Sequence, residues 1–344
     1  MSTKHVAVVP ADGAGQEVIP EAIKVLRAAG ANLDYQEYEV GAERVLRGEP
    51  AMPEDVFDAL TAADAILFGS IGDPRVPDVG YAAQVLLRLR FEMDLYVNLR
   101  PARLAHDRLS PIRDPARRNC RLMVIRENTE GAYVGMGGRF RRGTEFELAI
   151  QEDLNTYNGV SRIIEYGFKL AEKDLCLVDK SNALPFSGGL WQDRWKAIAP
   201  EHPEIRTRHL YVDAAVMELV RDPTQFEVIV TSNLFGDILS DLTAQLVGGM
   251  GVAPSANINP DTGRGLFEPV HGSAPNIAGK GIVNPIGAIL CGAMMIGHLG
   301  DEAAAERIES AVVAAIGAAE CTRDLGGSLS TSEAGDAIVR RLGD

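Results

Sequence analysis

The sequence predicts an α/β fold with a mostly parallel sheet. Six short apolar segments alternate with four longer amphipathic ones, which is the pattern of strands joined by crossover helices. The predicted strands are HVAVVP, AILFGSI, LMVIREN, LCLVDK, LYVD and VIVTSN. The predicted helices are EVIPEAIKVLRAAG, PEDVFDALTAA, GVSRIIEYGFKLAEK and DEAAAERIESAVVAAIGAAE. A Rossmann fold is not expected, because the first turn, DGAGQEV, lacks the third glycine of the dinucleotide-binding fingerprint.

The composition favours a soluble enzyme. The 344 residues include 48 Asp and Glu against 34 Lys and Arg, and this acidic balance argues against nucleic acid or an anionic membrane as a partner. Cys120, Cys176, Cys291 and Cys321 show no CxxC spacing, and three of them lie among apolar or small residues typical of buried thiols, which indicates a reducing compartment. Because there is no apolar run of membrane-spanning length and no basic N-terminal region, we expect a cytoplasmic protein.

Two aspartates follow the last predicted strand at helical spacing. Asp237 and Asp241 in NLFGDILSDL are four residues apart, so a helix places both carboxylates on one face. Two carboxylates among leucine and phenylalanine repel each other unless a cation lies between them. Mg²⁺ and Mn²⁺ prefer such oxygen ligands, and Asp213 in YVDAAVM offers a third. A solvated helix face is the alternative.

Three arginines lie in apolar segments of this acidic chain. Arg90 and Arg100 lie at the two ends of RFEMDLYVNLR, and Arg126 follows the predicted strand LMVI. Because a guanidinium binds a carboxylate through two hydrogen bonds, these positions indicate a small anionic ligand. The alternative is that they are surface arginines without a ligand.

A lysine and a tyrosine are candidates for proton transfer. Lys180 follows the predicted strand LCLV, and functional groups of α/β sheets commonly lie at strand ends. Beside a metal it is a candidate general base, and Tyr133, seven residues after Arg126, is a candidate acid. A lysine that merely ends a strand and a tyrosine that merely packs are the alternatives.

The segment EPVHGSAPNIAGKGIVNP (268–285) is rich in small residues and turns. Small residues let a ligand approach the backbone, and turns expose amides to phosphate groups. A structural loop is the alternative.

These motifs together resemble those of the β-decarboxylating dehydrogenases, a family that includes 3-isopropylmalate, isocitrate, homoisocitrate and tartrate or D-malate dehydrogenases. The resemblance extends through nearly the whole chain, from VAVVPADGAGQEV through NLRPA, IRENTEG, VDKSNAL, YVDA and SNLFGDILSDL to EPVHGSAPNIAGKGIVNP and CGAMM. It implies the isocitrate/isopropylmalate dehydrogenase-like two-domain fold. Residues 1–95 and 249–344 are then the dinucleotide-binding domain, and residues 96–248 are the substrate, metal and dimerisation domain.

The resemblance also implies a role for each motif residue. The catalytic pair is matched by Lys180 and Tyr133. The substrate-binding positions are matched by Arg90, Arg100, Arg126, Leu86 and Leu87. The metal ligands are matched by Asp213, Asp237 and Asp241. The cofactor-binding positions are matched by Asn182, His271, Gly272, Ser273, Ala274, Asn276 and Asn284. In the family, the equivalents of Lys180 and Asp213 are donated in trans within a homodimer, to which residues 133–153 contribute an arm.

The implied reaction is metal-dependent oxidative decarboxylation of a small anionic hydroxy acid, a 3-substituted malate, to a 2-oxo acid. Lys180 removes the proton of the C2 hydroxyl as hydride leaves for NAD, the β-carboxylate is lost, and Tyr133 protonates the enolate carbon. Mg²⁺ or Mn²⁺ is the expected metal. NADP use stays open, because Asn276 replaces the family's NAD-selecting aspartate and does not repel a 2′-phosphate.

The best prediction for the substrate is 3-isopropylmalate. Val85, Leu86 and Leu87 precede Arg90 by about one helical turn and would suit an alkyl substituent. Tartrate, D-malate or another 3-substituted malate of a specialised pathway is the alternative, because APSANINP and GGRFRRGTE resemble the tartrate branch. In addition, YAAQVLLRLR (81–90) offers no glutamate, which isopropylmalate dehydrogenases typically have in the segment ahead of the Arg90 helix. A non-catalytic regulatory subunit is a remoter alternative, opposed by the complete set of catalytic residues.

Overall fold

A computed structural model of the protein describes residues 3–78 and 80–343. Within these ranges the strands are β1 (Lys4–Ala11), β2 (Leu33–Glu37), β3 (Ala65–Ser70), β4 (Val97–Arg103), β5 (Arg121–Glu127), β6 (Gly137–Phe140), β7 (Leu148–Gln151), β8 (Asp174–Asp179), β9 (Arg206–Tyr211), β10 (Val228–Thr231), β11 (Pro254–Asn259) and β12 (Arg264–Pro269). The α-helices are α1 (Gly15–Ala28), α2 (Ala42–Leu46), α3 (Glu54–Ala62), α4 (Gly80–Glu92), α5 (Tyr157–Leu170), α6 (Ser187–Ile198), α7 (Val212–Arg221), α8 (Asn233–Leu246), α9 (Ile286–His298), α10 (Glu302–Gly317) and α11 (Thr331–Arg341).

Ten of these strands form one sheet, in the order β2-β1-β3-β12-β11-β4-β5-β10-β8-β9. The described strands are parallel in six of the nine pairings, and the antiparallel pairings β12–β11, β11–β4 and β4–β5 lie together at the centre. The sheet therefore has two parallel ends that run in opposite directions. The predicted mostly parallel α/β fold is confirmed.

The antiparallel centre was not predicted. Its strands β4, β11 and β12 contain buried polar side chains, among them Asn98, Arg100, Asn257 and Glu268, and so lack the apolar runs by which strands such as β1, β3 and β8 were predicted. Strands β6 and β7 form a separate exposed hairpin.

The two ends of the sheet come from different parts of the chain. β1, β2 and β3 join β11 and β12 at one end, where α1 packs against α9 and α11. The other end consists of β4, β5, β8, β9 and β10, all between residues 97 and 231. The boundaries expected near residues 95 and 249 fall between these two sets of strands, and the division into two domains stays a prediction.

Two predicted strands end two residues earlier than expected. LYVD ends as a strand at Tyr211, so that Asp213 lies in the first turn of α7. VIVTSN ends at Thr231, and Ser232 adopts the extended backbone of a helix N-cap before Asn233 begins α8. Both strands thus deliver their polar residues directly onto a helix.

All four cysteines are buried and free. Burial raises the pKa of the Cys120 and Cys176 thiols to about 12, so these thiols are protonated at neutral pH. The expected buried thiols are therefore confirmed. No helix in the described ranges is long and apolar enough to span a membrane.

Candidate active site

Arg126, at the end of β5, is fixed by the helix that follows β10. Its side chain is 1% exposed, and its Nε and Nη2 donate to Asn233 Oδ1 at 2.9 and 2.7 Å. Its Nη1 donates to Asp237 Oδ1. A Cβ on Gly236 would lie 2.6 Å from Arg126 Cβ, so glycine is required for α8 to approach the strand this closely. The guanidinium is thereby held against the first turns of α8.

Arg100, on β4, lies beside the same helix. Its Nε donates to Asn98 Oδ1 at 2.9 Å and its Nη1 donates to Ser240 Oγ at 2.8 Å. The same Nη1 is 3.6 Å from Asp237 Oδ1 and 3.8 Å from Asp241 Oδ1. Arg100 therefore connects the antiparallel centre of the sheet with the two aspartates of α8.

Arg90, on α4, completes the group that we call the arginine cluster (Arg90, Arg100 and Arg126). Its Nη2 donates to Glu268 Oε1 of β12 at 2.7 Å, whereas its buried Nε has no partner in the structure. Burial lowers the pKa of Arg100 and of Arg126, the latter to about 10, and the neighbouring guanidinium charges lower both further. Because guanidinium groups bind carboxylates through charge-assisted hydrogen bonds, three of them close together favour a ligand with more than one negative charge.

Tyr133 and Asp237 lie in direct contact beside the cluster. Tyr133 Oη donates to Asp237 Oδ2 at 2.8 Å, and the Arg126 guanidinium lies 5.1 Å from the centre of the tyrosine ring. Burial raises the pKa of Tyr133, and the negative charge of Asp237 raises it further. The phenol therefore keeps its proton at neutral pH and is suited to donate it.

Asp237 and Asp241 lie on one face of α8, as predicted. Burial alone would raise the pKa of Asp237, but Arg126 and Arg100 outweigh burial and lower it. The pKa of Asp241 is raised, because burial there outweighs Arg100. Carboxylate oxygens fit Mg²⁺ or Mn²⁺. Within the described residues of one chain, no three acidic, histidine or cysteine side chains are grouped to hold an ion.

Lys180 and Asp213 form a second group. Lys180 directly follows β8, and its Nζ donates to the exposed Asp213 at the start of α7. This ion pair lowers the pKa of Asp213. No hydrogen bond or ion pair among residues 3–78 and 80–343 joins Lys180 or Asp213 to the arginine cluster, Asp237 or Asp241. The structure of one chain therefore brings the predicted site residues together in two separate groups, and the donation of Lys180 and Asp213 in trans stays a prediction.

The small-residue segment 268–285 is fixed to the start of α1. Ala14 N donates to the Ser273 carbonyl at 2.8 Å, and a Cβ on Gly13 would meet that carbonyl oxygen at 2.2 Å. Glu17 accepts hydrogen bonds from the backbone N–H groups of Gly279 and Gly281. The β1–α1 turn and the segment thus form one continuous surface.

The histidine and asparagine side chains of this segment differ in their hydrogen bonds and in their exposure. His271 Nδ1 lies 3.0 Å from the Gly272 carbonyl, and its buried Nε2 has no partner among the residues that the structure describes, so the ring has unused capacity for a ligand's hydrogen bond. Burial lowers the pKa of His271, which keeps the ring neutral. Asn276 is exposed, as is Asn182 after Lys180. Asn284 is buried, donates to Asp324 at 2.8 Å and accepts from Ile286 N at 3.0 Å.

The hydrophobic residues before Arg90 lie on different faces of α4. Val85 is 2% exposed and packs in the core with Leu89, because five residues place it across the helix from Arg90. It therefore cannot line a ligand pocket, contrary to the sequence-based expectation. Leu86 is partly buried against the same core, and Leu87 is half-buried three residues before Arg90. Only Leu86 and Leu87 remain as candidates for an alkyl pocket.

The buried carboxylate of Asp12 was not anticipated from the sequence. It accepts hydrogen bonds from Ala42 N at 2.8 Å, Gly72 N at 2.8 Å and Tyr81 Oη at 2.7 Å. Asp12 thereby ties the β1–α1 turn to the start of α4, the helix that bears Arg90. The feature of the sequence that could have indicated this buried carboxylate is its position in a strand-to-helix turn.

Comparison with known proteins gives one consistent result. The family model described as isocitrate/isopropylmalate dehydrogenase matches residues 5–338. The chain is 45% identical over 341 residues to 3-isopropylmalate dehydrogenase of Corynebacterium jeikeium, covering 98% of this chain and 99% of that protein. It is 46% identical over 338 residues to the 3-isopropylmalate dehydrogenase of Corynebacterium efficiens, covering 97% and 98%.

Solved structures agree. The crystal structure of isocitrate dehydrogenase from Methylococcus capsulatus has a TM-score of 0.92 and 37% sequence identity, covering 99% of this chain and 100% of that chain. The TT0538 protein from Thermus thermophilus has a TM-score of 0.89 at 35% identity, covering 99% and 68%. The predicted resemblance and fold are confirmed, and the chain belongs to the isocitrate/isopropylmalate dehydrogenase family.

Proposed function

We propose that the protein catalyses the metal-dependent oxidative decarboxylation of 3-isopropylmalate, with hydride transfer to NAD. The observation that supports this most directly is the buried arginine cluster beside Asp237 and Tyr133, which matches a dicarboxylate next to a metal-binding and proton-donating group. Relatives named 3-isopropylmalate dehydrogenase at 44–46% identity over nearly the full length support the choice of substrate.

The residues of the proposed site would have separate roles in the reaction. Arg90, Arg100 and Arg126 bind the two carboxylates of the malate unit, and their burial strengthens each interaction. Lys180 accepts the proton of the C2 hydroxyl, and Tyr133, protonated at neutral pH, donates to carbon after the carboxylate is lost. A bound Mg²⁺ or Mn²⁺ would be held by Asp213, Asp237 and Asp241 and would stabilise negative charge on substrate oxygens.

The nicotinamide dinucleotide would lie along the surface formed by the β1–α1 turn and residues 268–285. His271, with its unpartnered Nε2, together with Gly272, Ser273, Ala274, Asn276 and Asn284, would contact it, and Asn182 would lie near the nicotinamide. NAD is the proposed cofactor, and NADP is not repelled by Asn276. The four buried thiols agree with the cytoplasmic location that we propose.

We further propose a homodimer that completes the site. The exposed face of α7 presents Asp213, Met217 and Val220, and the exposed face of α8 presents Leu234, Ile238 and Asp241. On both helices, exposed apolar side chains adjoin a proposed metal ligand. Exposed apolar side chains, where they are grouped on a surface, commonly mark an interface. If a second copy covers both helices, Lys180 and Asp213 of one subunit approach Asp237 and Asp241 of the other.

The exposed β6–β7 hairpin offers a second contact for that partner. Its large apolar side chains are Phe140, Phe146, Leu148 and Ile150, all at least 44% exposed. An isolated two-stranded hairpin is marginally stable in water. We propose that it packs against the partner subunit as the dimer arm.

Steady-state kinetics test the proposed activity. Purified protein with Mg²⁺ or Mn²⁺ is assayed with both nicotinamide cofactors and a panel of 3-substituted malates. Each methylene buried in an alkyl pocket contributes about 0.8 kcal/mol, so kcat/KM for 3-isopropylmalate should exceed that for D-malate by more than about tenfold. The Leu87→Ala variant should reduce that ratio. Equal or reversed efficiencies would favour the tartrate or D-malate alternative, and no turnover with any malate would favour the regulatory subunit.

Mixed dimers test the donation in trans. Because Lys180 and Asp213 contact each other in one chain, they would be donated together, so the complementing variant must come from the other group. Lys180→Met and Asp241→Asn chains, each inactive, are co-refolded. About a quarter of the wild-type activity should return, since half of the dimers are mixed and each mixed dimer has one intact site. Absence of any recovery, with mixed dimers verified, would place Lys180 and Asp241 in the same subunit's site.

A further inference from the structure

A row of buried polar side chains crosses the antiparallel centre of the sheet. Asn257 on β11 lies directly opposite Asn98 on β4, and Asn98 lies opposite Arg126 on β5. Residues directly opposite each other project from the same face of a sheet. Asn257 and Asn98 are fully buried. The row therefore leads from β11 to the arginine cluster without reaching solvent.

Asn257 uses both ends of its side chain. Its Oδ1 accepts from Asn98 Nδ2 at 2.8 Å and from Asn128 Nδ2 at 3.0 Å. Its Nδ2 donates to Glu268 Oε1 at 2.9 Å and to the Leu266 carbonyl at 3.2 Å. Two donors and two acceptor positions are the full capacity of an amide side chain. Aspartate has no such donor and serine has only one, so asparagine is the small side chain that fits this position.

Two of the four partners of Asn257 are in turn the partners of two arginines. Glu268 Oε1 accepts from Arg90 Nη2 at 2.7 Å, and Asn98 Oδ1 accepts from Arg100 Nε at 2.9 Å. The continuous series is Arg90, Glu268, Asn257, Asn98 and Arg100. Because Arg90 Nε is buried without a partner, the direction of that guanidinium depends strongly on Glu268.

We propose that Asn257 is a positioning residue, which sets the distance between Arg90 and Arg100 and thereby matches them to the two carboxylates of the substrate. Asn257 itself does not touch the substrate. The inference rests on the proposed function for the role of the arginines as carboxylate ligands. Arginine side chains fixed before binding lose less conformational freedom when the substrate arrives, so the effect of Asn257 should be on substrate affinity.

Asn259 provides a matched control on the same strand. It is buried, its Nδ2 donates to the Asp94 carbonyl at 2.9 Å, and its Oδ1 accepts from Asp261 N at 3.0 Å and Thr262 N at 3.1 Å. None of these partners belongs to the arginine cluster. Asn259 therefore has a comparable number of hydrogen bonds with a purely structural role.

The first experiment compares Asn257→Ser with Asn259→Ser. Both should unfold at a lower temperature, because each loses buried hydrogen bonds. Only Asn257→Ser should raise the KM for the substrate, by about tenfold or more, with kcat and the KM for NAD changed by less than about threefold. Equal effects of the two variants on the substrate KM, or no effect of either, would overturn the proposal.

A second experiment tests the path through Glu268. Asn257→Asp removes the donor and places two carboxylates together, so the substrate KM should rise further than in Asn257→Ser. Adding Glu268→Gln restores a donor and acceptor at this contact, and the double variant should recover at least about threefold in KM. A double variant no better than Asn257→Asp would contradict the proposed path.

Failure of the proposed function would be visible separately, in the wild type. If the wild type turns over no malate, the same variants are compared by calorimetric binding of D-malate, which contains the dicarboxylate common to all candidate substrates. Weaker binding by Asn257→Ser than by Asn259→Ser would still support the positioning role. Absence of D-malate binding to the wild type would overturn it.

Discussion

The arginine cluster and the loop that follows β8 are two parts of one candidate site, yet they are built in opposite ways. Each guanidinium of the cluster is buried and bonded to side chains from a different helix or strand. Residues 180–186, the lysine loop, are mostly exposed, with Phe186 at 93% exposure. The proposed binding groups are thus fixed by the fold of one chain, whereas the proposed base is left at a surface that we expect a second chain to cover.

Removal of metal tests the largest expected effect. Exhaustive treatment with EDTA should abolish turnover, because the proposed ligands Asp237, Asp241 and Asp213 would supply oxygen atoms suited to a hard cation. Addition of Mg²⁺ or Mn²⁺ should restore it, and circular dichroism should show that the fold persists without metal. Full activity after verified chelation would show that neither Asp237 and Asp241 nor Asp213 hold a metal that the reaction requires.

Substitution in the lysine loop should affect catalysis without affecting stability. Lys180→Met should lower kcat by about 10²–10⁴-fold, the usual contribution of a positioned general base. Because the partner of Lys180 is exposed, the melting temperature should change little. Kinetics at saturating substrate and thermal denaturation measure the two quantities. Near-wild-type kcat would exclude Lys180 as the base.

Substitution in the arginine cluster should affect both the kinetics and the stability of the protein. Arg126→Met removes the buried guanidinium that donates to Asn233 and to Asp237, whose side chain is 37% exposed, and losing a hydrogen bond to a charged group costs about 1.5–3 kcal/mol. We therefore expect a lower free energy of unfolding, measured by urea titration, together with a higher substrate KM. An unchanged free energy of unfolding would contradict the proposed distinction between the rigidly held arginine cluster and the exposed lysine loop.

The cofactor surface should show the smallest effect. The wild type should prefer NAD but turn over NADP, and Asn276→Asp should sharpen that preference several-fold by repelling the 2′-phosphate. The ratio of kcat/KM for the two cofactors is the measurement. A wild type that used NADP far better than NAD would point to basic residues elsewhere on this surface.

The sequence predicted those features that depend on local pattern. Apolar runs located β1, β3, β5, β8 and β10, and helical spacing placed Asp237 and Asp241 on one face. Helical spacing would also have placed Val85 across the helix from Arg90, so that error was avoidable. The hydrogen bonds from Asn98 on β4 and from Asn128, directly after β5, to Asn257 could not be anticipated, because both donors lie more than a hundred residues away in the chain.

The order of strands in the sheet has a consequence for how the chain folds while it is being synthesised. β5, β8, β9 and β10 all lie between residues 121 and 231 and pair with one another, so that end can assemble as soon as it leaves the ribosome. β3 pairs with β12, and α1 packs on α9, with Leu26 lying against Gly292. A nascent chain that has not reached β11 therefore exposes an open strand edge and an apolar helix face, which favour aggregation. The first residues made are among the last to be covered.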